Sequence, residues 1–137
     1  MNWKLIFGLS LFGLAMAFGT IYFIPPGIEP YCWLVIFLIC AFIIAKNAPG
    51  KYFLHGFLVS LVNCVWITGT HIFMSATYLS NHSQEAAQYA KLNEQAHLTV
   101  TQAMLIMGPV IGIISGLVLG LFAFIASKIF KKANPVK

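Results

Sequence analysis

The sequence predicts an all-α fold: an integral membrane four-helix bundle, with a short extracytoplasmic helical segment before the fourth helix. Three observations predict it. Of the 137 residues, 60% are hydrophobic and 8% are charged, whereas a soluble domain carries about 25% charged residues. Such a chain has too little polar surface to coat a globule in water. Next, four apolar runs approach or exceed the length needed to cross a hydrocarbon core about 30 Å thick, and Pro/Gly turns or one polar segment separate them. Finally, the charges are segregated. In a four-span topology Lys4, Lys46, Lys51, Lys128, Lys131, Lys132 and Lys137 share one side, and Lys91 with Glu29, Glu85 and Glu94 share the other. The positive-inside rule then places both termini in the cytoplasm.

The spans are predicted over about 5–24, 31–45, 52–79 and 101–127, as a single domain 1–137. The first run continues past Ala15-Met16-Ala17, which resembles a signal-peptide cleavage site, and is therefore read as a span. Pro25-Pro26-Gly27 ends it. The second run is short, with Tyr31 and Trp33 at interface level. Asn47-Ala48-Pro49-Gly50 is a second tight turn. The third run is the most polar. At about 100° per residue, His55, Gly56, Ser60, Asn63, Thr70 and His71 fall within half its circumference, and Phe57, Leu58, Leu61, Val62, Val65 and Ile72 cover the side expected to face lipid. Ser83 is the expected N-cap of a short surface helix over Gln84–His97. Thr99-Val100-Thr101-Gln102 has the form of a capping box.

The fourth span carries Gly108, Gly112, Gly116 and Gly120 at strict four-residue spacing, a glycine zipper. Lipid supplies no hydrophobic drive between helices, so a glycine groove that admits a second backbone is a natural packing surface. The first span, with Gly8, Gly13, Ala15, Ala17 and Gly19, is the expected partner. Pro109 predicts a kink.

Little chemistry is legible. The chain has no Arg and no Asp, and no Glu lies inside a span. Nucleic-acid sites lean on Arg, so no nucleic-acid partner is expected. Cys32, Cys40 and Cys64 form no C-x-x-C pair. No nucleophile stands beside a His and a carboxylate, so no enzyme, catalytic residue, cofactor or metal is predicted. His71, His82 and His97 are the residues that could converge on a metal at the outer face. His55 and His71, about 24 Å apart along one helix, cannot share a ligand. The candidate buried polar residues are His55, Asn63, Thr70 and His71. His71 is expected to be neutral, hydrogen-bonded and structural.

The stretches Gly50–Phe57 and Gly108–Lys132, with the order of spans and the polar segment before the last, resemble small four-span bacterial membrane proteins, the domain-of-unknown-function families common in the Bacteroidota. The resemblance implies a bacterial inner-membrane location and supplies no substrate or catalytic residue. The expected role is a non-catalytic accessory or assembly protein that acts through helix–helix contacts. Its partners would be the bilayer and another membrane protein or a copy of itself. The alternative is a small oligomeric channel or transporter for a proton, ion or small solute, with Asn63 and His71 in its path.

Overall fold

The structure, a computed structural model, describes residues 1–132. Lys137, one of the lysines used for orientation, lies outside them. Among the described residues there are six helices and no strand: α1 Trp3–Tyr22, α2 Glu29–Asn47, α3 Tyr52–Phe73, α4 Ser75–Asn81, α5 Ser83–Ala96 and α6 Val100–Lys132. Four of them, α1, α2, α3 and α6, are long and apolar enough to cross a membrane.

Local chemistry accounts for most boundaries. The Asn2 side chain accepts a bond from the Leu5 N–H and caps α1. Glu29 and Pro30 supply the first turn of α2, because proline needs no N–H partner there and an acid favours that end of the helix dipole. The helix thus reaches 19 residues and is not the short span predicted. It stops because Ala48, preceding Pro49, is extended, with ψ 137°. Gly50 turns the chain with φ 149°, and Lys51 follows in the left-handed region. At α6 the capping box forms as expected: Thr99 N–H donates to Gln102 Oε1 at 3.0 Å, and Gln102 N–H donates to Thr99 Oγ1 at 3.3 Å. α6 then runs unbroken through Pro109.

Two boundaries differ from expectation. The third run is not one helix to Leu79 but breaks at Met74 into α3 and α4. No Gly or Pro marks the break. It is held by contacts distant in sequence: Asn81 Nδ2 donates to the Ile21 carbonyl at 2.8 Å, and Tyr78 packs with Ile21 and Met104. Ser83 is the first residue of α5 rather than its cap, a position His82 takes without a side-chain bond.

α3 and α6 form the most extensive helix pair, with α1 packed on the free side of α3 and α2 on α6. The order across the molecule is therefore α1–α3–α6–α2. α3 is flanked on both sides, which corrects the expectation of a broad lipid face. Phe57 meets α6 and Leu58 and Val62 pack on the core, while Val65 is exposed. The glycines of α6 lie on α3, not on α1. A Cβ on Gly112 would stand 2.7 Å from the Cys64 Cβ, one on Gly116 2.9 Å from the Phe57 ring, and one on Gly120 2.9 Å from Phe53. One on Gly108 would collide with Thr68. α1 spends its small residues differently: Gly13 admits Asn63 of α3, and Gly8 meets nothing within 4 Å.

Two apolar clusters result. Ile6, Leu9, Phe37, Ile44, Val59 and Leu119 unite all four long helices toward the end bearing Lys4, Lys46, Lys51 and Lys128. A smaller cluster, Ile21, Tyr78 and Met104, closes the opposite end under α4 and α5.

Candidate functional site: a crevice between α2 and the α3–α6 pair

A crevice of about 560 Å³ runs between the two clusters. Its walls come from α2, α3 and α6, with Tyr78 and Tyr89 at the α4–α5 end and no residue of α1. From Met104 to Phe122, both in the wall, α6 rises about 27 Å. That length compares with a hydrocarbon core about 30 Å thick. The α2 wall is apolar through Leu34 and Phe37. The facing wall carries Ser60, Asn63, Thr68 and Ser115. This asymmetry follows from the polar stripe of α3, which the glycines of α6 leave partly uncovered.

Ser60 and Ser115 join the two helices at 2.8 Å. Ser115 donates its proton to the Ile111 carbonyl at 2.7 Å, so Ser60 is the donor between them. Asn63 is different. It is 2% exposed, and neither its Oδ1 nor its Nδ2 has a hydrogen-bond partner in the protein. Burying an amide unpaired is costly, by roughly 1–3 kcal/mol on mutational scales. It is the largest unmet polar demand within the spans among the described residues.

The other sequence candidates fall elsewhere. His55 is buried at the lysine end and belongs to the scaffold: Nδ1–H donates to the Lys51 carbonyl at 3.0 Å, and Nε2 accepts from the Asn2 N–H at 3.0 Å. Thr70 is only partly buried and lies outside the crevice wall, which corrects its place among buried polar residues. His71 lines the crevice but is also only partly buried. The Thr20 hydroxyl donates to the Met16 and Ala17 carbonyls, so His71 Nε2–H donates to Thr20 Oγ1 at 3.1 Å. The partner is thus in α1.

Sequence reasoning named His71 and His82 as able to converge at the outer face but missed Tyr78, the ring between them. The rings of His71, Tyr78 and His82 stack, with centroids 4.2 Å and 4.3 Å apart. His82 is 3% exposed, and its Nδ1–H donates to the Tyr78 carbonyl at 2.9 Å. Its Nε2 and Oε2 of Glu85 are buried without partners. Burial, then the Glu85 and Glu29 carboxylates, push the Tyr78 phenol well above its usual range, so it stays protonated. Glu29 lines the mouth and accepts from Trp33 Nε1–H at 3.2 Å. A spacing of seven and four residues between the rings was the available signal, but it reads as a helical stripe only once the chain is known to bend at Met74. His97 is exposed at the end of α5 and does not join His71 and His82. Among the described residues no three His, Cys, Asp or Glu side chains are placed to hold a metal ion.

The fold and crevice define a class: four apolar helices long enough to span a membrane, around a one-sided, mostly apolar cleft with a buried amide in its wall. Comparison with family models, with curated proteins and with solved structures finds no match to the chain.

Proposed function

We propose that the chain is a non-catalytic accessory protein of the bacterial inner membrane, with both termini cytoplasmic and the crevice opening toward the outer face. Its working surface is the crevice, not a bare helix face. The crevice itself carries this reading: one wall is apolar, the other holds Ser60, Thr68 and Ser115, and it opens sideways past the exposed Leu34, Ile111 and Ile114. Catalysis has no support, since no nucleophile–base pair faces the crevice: Ser60 and Ser115 bond each other, and His71 bonds Thr20.

The size bears on what the crevice holds. At about 560 Å³ the crevice falls within the range of small-molecule sites, about 300–1,000 Å³, and suits a small membrane-borne component.

A second reading, the oligomeric channel or transporter, is favoured by Asn63 and His71 lining one crevice. Against it stands the cluster of Phe37, Leu119 and Ala123, which closes the lysine end. Native mass spectrometry of the protein purified in mild detergent tests both. A single chain carrying a membrane component that Val118→Phe, a substitution in the crevice wall, releases is the expected result. A homo-oligomer without such a component would replace this proposal with the channel reading.

A further inference from the structure

We propose that a second groove, between α2 and α6 at the lysine end, seats an anionic phospholipid, with its phosphate on Lys46 and an acyl chain along the groove. The inference is independent of what the crevice holds. The groove has a volume of about 480 Å³, and every residue lining it is apolar. Ala41 is buried and Ala126 half-buried, and the exposed Leu38, Phe42, Ile129 and Phe130 stand around them. The two alanines leave a channel that faces hydrocarbon when the helices span a bilayer. From Leu38 to Lys46, α2 rises about 12 Å, against about 15 Å for half of a hydrocarbon core about 30 Å thick. The groove therefore has the depth of one leaflet's acyl chain.

Charge decides the head. Lys46 follows Phe42 by one helical turn, and its Nζ lies 4.4 Å from the centre of that ring. Phe42 meets Phe130 edge to face, with centroids 4.8 Å apart. This aromatic pair joins α2 to α6 within the groove, and the ammonium sits over it. Lys46 is exposed, and no acid shares its end: Glu29 begins α2, and Glu85 and Glu94 belong to α5. A phosphate at headgroup level thus meets an ammonium with no carboxylate competing for it. A zwitterionic head would bring its own cation against Lys46. A second copy of this chain, docked through the same groove about a twofold axis, would set Lys46 against Lys46.

Lys128 supplies the matched control. It is exposed at the same end and its Nζ lies 5.2 Å from the centre of the Phe124 ring, but neither residue lines the groove. The full chain in mild detergent is titrated with phosphatidylglycerol, and in parallel with phosphatidylcholine of the same acyl chains. Native mass spectrometry counts the bound lipid. The expected result is one phosphatidylglycerol held at least about fivefold more tightly than phosphatidylcholine, about 1 kcal/mol, the worth of one lysine near an anionic surface. Lys46→Gln should bring the two lipids level, and Lys128→Gln should keep the preference. Ala126→Leu, which fills the groove, should weaken both lipids. No preference in the parent chain, or a preference retained in Lys46→Gln, overturns the proposal. Equal loss in Lys46→Gln and Lys128→Gln overturns it too, because it reports the diffuse charge of the lysine end and not a seat. Unchanged binding in Ala126→Leu places the lipid elsewhere, and a homodimer that Ala126→Leu dissociates assigns the groove to a second copy; either result overturns the proposal.

Discussion

Gly56 of α3 and Gly120 of α6 meet backbone to backbone. A Cβ built on Gly56 would lie 2.6 Å from the Leu119 carbonyl oxygen and 2.9 Å from both the Cα and the N of Gly120. At Gly116 the nearest obstacle is the Phe57 ring, which can turn, and at Gly112 it is the Cys64 Cβ, which rides on its backbone. At Gly56 it is main chain, which moves only with its helix. This contact sets the distance between the two central helices.

Gly56→Ala should therefore destabilise the protein by about 1–3 kcal/mol, the usual range for overpacking, and Gly56→Leu by more. Gly8→Ala is the control, because nothing lies within 4 Å of its added Cβ, and alanine is the better helix former. Thermal melting in detergent checks the pair. Equal melting temperatures for Gly56→Ala and the parent would show that α3 and α6 are free to separate.

His55→Leu should loosen the start of α1. The substitution removes the acceptor of the half-buried Asn2 N–H, while the Lys51 carbonyl keeps its bond from the His55 N–H, so one stranded donor costs about 1–3 kcal/mol. Hydrogen exchange should quicken in the first turns of α1 and α3 and stay unchanged in α6. Uniform quickening along the chain would instead indicate global destabilisation.

His71→Leu should be mild, below about 1 kcal/mol, in line with the average of about 0.6 kcal/mol for hydrogen bonds between membrane helices. Thr20 keeps both of its carbonyl acceptors when His71 is lost, so little is stranded. Tyr78→Ala should cost more, about 3–5 kcal/mol by analogy with other aromatic truncations, since it removes the middle ring of the stack and a member of the second cluster. Chemical unfolding of the two variants side by side gives the comparison; a larger loss for His71→Leu would reverse the assigned roles.

Reporter fusions test the proposed orientation. Fusions after Glu29 and Glu94 should read as outside, and fusions after Asn47 and Val136 as inside. A cytoplasmic signal from the Glu94 fusion would invert the bundle and turn the crevice mouth inward.

What the sequence alone determined is what depends on neighbours along the chain. Hydropathy set the four long helices, because the demand for apolar length is a property of each segment. Pro25-Pro26, Pro49-Gly50 and the Thr99–Gln102 box set their ends. The lysine distribution separated the two ends of the molecule. Asn63 was legible as out of place, since a lone amide in an apolar run is conspicuous by itself. Which helix receives which was left to tertiary structure. The glycines of α6 announced a close approach, but a groove without side chains carries no mark of its partner, and both α1 and α3 offered small residues. Packing chose α3, whose Gly56 answers Gly120 main chain to main chain. The break at Met74 has the same origin. No local residue demands it, and it exists because Tyr78 and Asn81 gain contacts with α1, α6 and His71 that a continuous helix would carry away from them. The crevice, likewise, is a property of no segment: it is the space left when α2 packs on α6 and α1 on the far side of α3.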